Sequence, residues 1–212
     1  MSRTNPTHFH LMLRLLHWTM AVLILAMLFI GISMVSTDGP AYPVLLALHR
    51  PIGIALLILV CLRLAIRLAT HIPPLPADLP RWQAQAAKSS HVLLYIAMAG
   101  VPLIGWAMLS AGGYPVKIFG DFVLPPILPQ NVYLFGWLRL AHTVAAFAFF
   151  ALILGHLSAA LIHALIRRDG VFEAMTLTRK RPAEHSTDNV TTLDFENQQL
   201  RNPQARSRSH SN

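Results

Sequence analysis

Residues 138–163 read LRLAHTVAAFAFFALILGHLSAALIH, a run long enough to cross a bilayer and apolar almost throughout, yet it holds His142, His156 and His163. A histidine in hydrocarbon is costly unless something satisfies its ring nitrogens. His142 and His156 are 14 residues apart. At about 1.5 Å per residue that spacing is roughly 21 Å along a helix, and at about 100° per residue it falls about 40° short of four full turns. The two rings therefore share one helix face and lie in opposite leaflets.

The rest of the chain has the same character. Of its 212 residues, 54% are hydrophobic and only 12% charged, well below the roughly 25% charged of a soluble domain. Four apolar blocks of about 20 residues or more, the length that spans hydrocarbon, occupy about Leu15–Val35, Leu46–Leu68, Val92–Ala111 and Leu138–Ile166. The first is too long for the apolar core of a signal peptide and lacks a convincing cleavage site, so it reads as a retained helix. The expected fold is an all-α membrane protein built as a four-transmembrane-helix bundle over residues 15–168. Residues 1–14 are a short leading segment, and 169–212 a polar tail expected to be disordered after about 182. The longest loop, 112–137, carries apolar residues that suit packing over a site. Cys61, the single cysteine, cannot form an internal disulfide and reads as a small buried residue.

The net charge of +8 is a topology signal. Arg50, Lys117 and Arg139 fall on one side of the blocks, and the other fourteen of the 17 Lys and Arg fall on the opposite side with both termini. The positive-inside rule makes that side cytoplasmic. Basic residues distributed this way give no reason to expect nucleic acid as a partner.

In this topology His17 and His156 lie in the cytoplasmic half, and His49 and His142 at matching external depth. Two histidines facing each other across a bundle can each give a nitrogen to one haem iron, so two stacked pairs would hold two haems. With both axial positions filled, the iron has no open position and its chemistry is outer-sphere electron transfer. Small residues one turn after each histidine (Ala21, Gly53, Ala145, Ala146, Ala159 and Ala160) leave gaps for a flat macrocycle, though they also occur at plain helix contacts. A zinc or copper site would need three or four ligands at one depth. A proton relay would want carboxylates, and the four blocks contain no Asp or Glu.

The motifs LRLLHW (13–18), LHRPIG (48–53), VLLYIAMAGVPLIGW (92–106), AHTVAA (141–146) and GHLSAALIH followed by RRDG (155–170) resemble the prokaryotic cytochrome b561 family over roughly residues 8–180. The resemblance implies two b-type haems, one between His17 and His156 and one between His49 and His142, in a multi-pass protein of the bacterial inner membrane. It implies electron transfer to ubiquinone, from superoxide at the periplasmic face. Alternatively, the chain is a cytochrome b subunit linking quinone to a separate hydrogenase or dehydrogenase. A haem-free transporter using its histidines otherwise is the reading of a different class. His91, expected to start the third helix, reads as a propionate contact, a replacement ligand or an interfacial side chain. His163 reads as a quinone or propionate contact, or as interfacial. Arg50, Lys117 and Arg139 read as a positive funnel for superoxide or as propionate partners, against plain snorkelling at helix ends.

Overall fold

The computed structural model describes residues 9–37, 39–70, 80–118 and 122–176. Four long helices run α1 (Leu11–Ser36), α2 (Ala41–Ala69), α3 (Arg81–Ala111) and α4 (Val132–Leu161). Even α1, with 26 residues, is about 39 Å long at about 1.5 Å per residue, more than the roughly 30 Å of hydrocarbon. All four are long and apolar enough to cross a membrane, the last span reaching Arg167. Their outer faces are apolar too: Phe29 is 72% exposed, Leu68 80% and Ile166 75%. Such a surface is stable against lipid and not against water.

Local chemistry sets the helix ends. The His10 ring accepts a hydrogen bond from the Met12 N–H at 3.3 Å to open α1. Pro80 precedes α3, where a missing N–H costs nothing. Asn131 Oδ1 accepts from the Leu134 N–H at 3.0 Å and opens α4. Two boundaries differ from the sequence reading. The helix α3 begins at Arg81, so His91 stands ten residues inside it rather than at its start. The helix α4 begins at Val132 and takes in the last turn and a half of the expected loop. In both cases the extra turns are less apolar than the block they extend, so hydropathy alone stops short of them.

The remaining loop between α3 and α4 is ordered over the end of α3. A two-residue ribbon pairs β1 (Val116–Lys117) antiparallel with β2 (Val123–Leu124). It is pinned by Ile127 N–H to Ser110 Oγ, Trp106 Nε1–H to Pro125 O and Asn131 N–H to Ala111 O. The chain leaves α3 through Gly112, where a Cβ would come within 2.6 Å of the Tyr114 ring.

Consecutive helices pack side by side, α3 on α4 and α1 on α2 most closely. The backbones of α1 and α4, and of α2 and α4, hardly approach each other. The core is formed by Met20, Leu56 and Val60, with Leu23, Ile24, Met27 and Met98 packed around them, and it fills the middle of the bundle. We call the end of the bundle that holds Leu11, Ala69, Arg81 and Arg167 the near end, and the other the far end. Cys61 is exposed on the outside of α2, which corrects the expectation of a buried residue: in a lipid-facing protein a small apolar side chain has no reason to turn inward.

At the near end α4 runs into a π-helical turn, Ile162–Arg167, closed by Arg168 in a left-handed conformation (φ 50°). The chain then folds back onto the start of α1: Phe9 N–H bonds Ala174 O at 3.2 Å, and Trp18 Nε1–H bonds Met175 O at 3.0 Å. The first part of the polar tail is thus attached to the bundle; the part expected to be disordered lies outside the described residues.

Candidate functional site

At the far end, His49 on α2 faces His142 on α4, with ring centroids 6.1 Å apart and planes at 72°. The His142 Nδ1–H donates to Val101 O at 3.0 Å. That bond fixes the tautomer and leaves Nε2 with a free lone pair. Gly105 makes the arrangement possible, because a Cβ there would sit 3.1 Å from His142 Cε1. His49 Nδ1 is buried without a hydrogen-bond partner.

Both rings open onto a cavity of about 1010 Å³ whose wall includes Gly53, Val101, Trp106, Tyr114, Arg139 and Ala146. Its floor is the central core, through Met20, Leu56 and Met98. Of the three expected cations, Arg50 and Arg139 stand on this wall. Arg50 reaches Pro115 O at 3.5 Å and keeps a buried Nε without a partner. Lys117 is exposed on β1 and does not line the cavity.

At the near end, His17 on α1 faces His156 on α4 at 6.3 Å between centroids, with planes at 78°. A third ring joins them: His91 on α3 lies 5.7 Å from His156. Its Nδ1–H donates to Ala87 O at 2.6 Å. His163 is one of the expected residues that stands apart from both pairs. Its Nδ1–H donates to Asp169 Oδ2 at 2.7 Å, and Arg167 Nε–H donates to the same oxygen at 2.9 Å.

Whether haem suits these residues can be tested on geometry. Two metal–nitrogen bonds of about 2 Å each, plus half an imidazole on either side, place two axial rings roughly 6 Å apart. The observed separations, 6.1 and 6.3 Å, match. Directly packed helices sit about 8–10 Å apart, whereas α4 is held away from both α1 and α2 and meets them through histidine rings. The oriented His142 ring, the unsatisfied His49 nitrogen and the flanking cavity all fit a planar group held between two imidazoles. Among the described residues no three His, Cys, Asp or Glu side chains converge as a metal cluster would need.

Several neighbours of these rings carry no histidine signal in sequence. The Val101 carbonyl and Gly105 depend on how α3 is rotated against α4. Arg14 and Arg63, buried at 6% and 7% exposure, could have been found as arginines at or within apolar spans, where charge is rarely idle.

The chain's relatives agree with this architecture. Residues 8–177 match the family model described as prokaryotic cytochrome b561. "Cytochrome b561 homolog 1" of Escherichia coli K12 is 27% identical over 188 residues, covering 85% of this chain and 100% of that protein. "Cytochrome b561 homolog 2" of the same strain is 29% identical over 180 residues, covering 82% and 95%. The "probable superoxide oxidase CybB" of Yersinia pestis is 28% identical over 171 residues, covering 79% and 92%. With four membrane-spanning helices and a match across most of its length, the chain belongs to the prokaryotic cytochrome b561 family, as a multi-pass bacterial membrane cytochrome b with a role in electron transfer.

Proposed function

We propose that this chain carries two b haems, one axially held by His17 and His156 and the other by His49 and His142, and that it passes electrons from superoxide to ubiquinone. The observation that carries the reading is the pair of facing imidazoles at each end, 6.1 and 6.3 Å apart, in a bundle where α4 hardly approaches α1 or α2. Each haem would supply a one-electron iron couple. The chemistry is outer-sphere: each superoxide gives up one electron and leaves as O2, and two electrons with two protons convert ubiquinone to ubiquinol.

The protein's own groups do the rest. His142, oriented by Val101 O, presents Nε2 across the cavity. The apolar core of Met20, Leu56 and Val60 fills the middle of the bundle, between the two pairs. Arg50 and Arg139 make the cavity wall positive, and Lys117 adds a cation on the outer ribbon. A positive mouth raises the local concentration of a small anion. The charge asymmetry of the sequence supports a periplasmic far end and cytoplasmic termini. The relative called a probable superoxide oxidase supports superoxide as donor.

The test is a reduced-minus-oxidised spectrum with haem quantitation on the purified protein, followed by stopped-flow mixing with superoxide and a quinone. Two b haems per chain and fast reduction, slowed when Arg50 is neutralised, are expected. A colourless protein ends the cytochrome assignment of these histidines. Two haems that superoxide does not reduce would transfer the donor role to a partner protein.

A further inference from the structure

The near end buries two guanidinium groups that the described protein does not neutralise. Arg14 on α1 is 6% exposed, and its Nε and Nη2 are both buried without hydrogen-bond partners. Arg63 on α2 is 7% exposed. It donates from Nη1 to Leu13 O at 2.7 Å and from Nε to Tyr95 Oη at 3.2 Å. The first of these bonds brings Arg63 to the backbone residue adjoining Arg14, so two cations share one level of the bundle. A third, Arg67, stacks on the Tyr95 ring at 5.7 Å. The ion pairs formed among the described residues involve Asp169 and none of these three. Glu173, on the segment that folds back to α1, has a buried Oε2 without a partner and does not bond Arg14.

Arginine cannot shed its proton in a protein. An uncompensated buried charge costs several kcal/mol, and two side by side cost more. A sequence that keeps both has an anion to put there. The donors left free on Arg14 specify its shape. Nε–H and Nη2–H form one side of the guanidinium fork and point in parallel, the edge that takes a carboxylate in a bidentate grip. Their position specifies its source. Arg14 is one turn before His17, and Arg63 is close enough to His17, His91 and His156 to act on all three electrostatically.

We infer that Arg14 and Arg63 form a clamp for a propionate carboxylate of the haem held between His17 and His156. The inference rests on the reading above that a haem is bound there. Arg14 and Arg63 would hold the carboxylate edge of such a group at the near end, where charge is least costly in a bilayer. A phospholipid phosphate offers similar oxyanion chemistry, and either anion needs the Arg14 side chain to turn its covered donors toward it; the lipid readout below separates the two sources.

The experiment uses the purified, haem-loaded protein and its Arg14→Lys, Arg14→Leu, Glu173→Gln and His17→Ala variants. Resonance Raman spectra report the propionate bending mode, and transfer to excess apomyoglobin reports haem release. For Arg14→Leu the bending mode of one haem shifts down, and that haem leaves on the order of ten-fold faster, as for loss of a charge-assisted bond of about 1.5 kcal/mol. The other haem is unchanged, and Arg14→Lys partly restores both readouts. Unchanged spectra and release in both Arg14 variants would overturn the clamp, since a buried arginine without an anion can be replaced by an apolar side chain at little cost. So would a Glu173→Gln variant that reproduces the whole effect, or an Arg14→Leu variant whose only change is lost co-purifying anionic lipid. The failures are separable. If His17→Ala removes no haem from the parent, the haem assignment falls and takes the clamp with it; if it removes one and the Raman mode ignores Arg14, only the clamp falls.

Discussion

The two ends of the bundle hold histidine pairs of nearly the same spacing, 6.1 Å at the far end and 6.3 Å at the near end, in opposite surroundings. The far pair opens onto a cavity with Arg50 and Arg139 on its wall. The near pair is joined by His91 and adjoins Arg14 and Arg63, both buried. Ring type and spacing therefore do not distinguish the ends; the charged groups around them do. Buried cations act through a lower dielectric than exposed ones and favour the electron-rich state of a nearby redox group. The same ring pair thus stands in different electrostatic surroundings at the two ends.

The strongest way to break this comparison is to remove one pair at a time. His49→Ala and His142→Ala should each eliminate one haem and leave the other, and His17→Ala and His156→Ala should eliminate the complementary one. Haem quantitation with spectra of the four variants decides it. His91→Phe should keep both haems. If it loses the near haem while His17→Ala does not, the near ligands are His91 and His156, and the pairing is wrong.

Next in size is a change that touches a ligand only through its packing. Gly105→Ala adds a Cβ 3.1 Å from the His142 ring, on the side where Nδ1 bonds Val101 O. Overpacking of this kind costs about 1–3 kcal/mol. The far haem should bind more weakly with an altered low-spin EPR signal, while the near haem keeps its own. An equal effect at both ends would mean that the core of Met20, Leu56 and Val60 does not insulate them. A smaller effect follows from charge. A redox titration should give the near haem the higher potential, and equal or reversed potentials would remove the charge distinction between the ends.

Much of this organisation could be read from residue order. Apolar blocks locate the helices because hydrocarbon thickness sets their length. The rise of the helix places His17 level with His156 and His49 level with His142, and those are the rings that face each other. What sequence did not carry is rotation. Whether His91 points at His156, whether Arg63 reaches across to Leu13 O and whether Cys61 looks outward depend on how each helix is turned about its axis. The partners His156 and Leu13 stand on α4 and α1, whose all-round apolar character marks no inward face for α2 and α3 to be turned against. The fold-back of residues 171–176 was invisible for another reason. The groups by which the segment itself meets α1 are backbone carbonyls, Ala174 O to Phe9 N–H and Met175 O to the Trp18 ring, which every residue possesses.

That fold-back supplies the smallest effect, and it belongs to the near end alone. Burial pushes the Asp169 carboxyl up, but hydrogen bonds from Arg167, His163 and the Val171 N–H together hold it below its ordinary value of 3.8. A carboxyl with a lowered folded pKa contributes stability that is fully present above 3.8 and is lost as pH falls through the lower folded value. The turn should therefore hold at neutral pH and loosen only in strong acid. Trp18 reports it, because its Nε1–H bonds Met175 O in the segment that Asp169 anchors. The fluorescence difference between the parent and Trp18→Phe should be flat from pH 8 to about pH 4 and then change, as the carboxylate protonates and its bonds are lost. Asp169→Asn removes the acid step and shows the loosened signal at neutral pH. A signal that changes well above pH 4, or an Asp169→Asn variant that behaves as the parent, would mean that the carboxylate does not hold the near end closed.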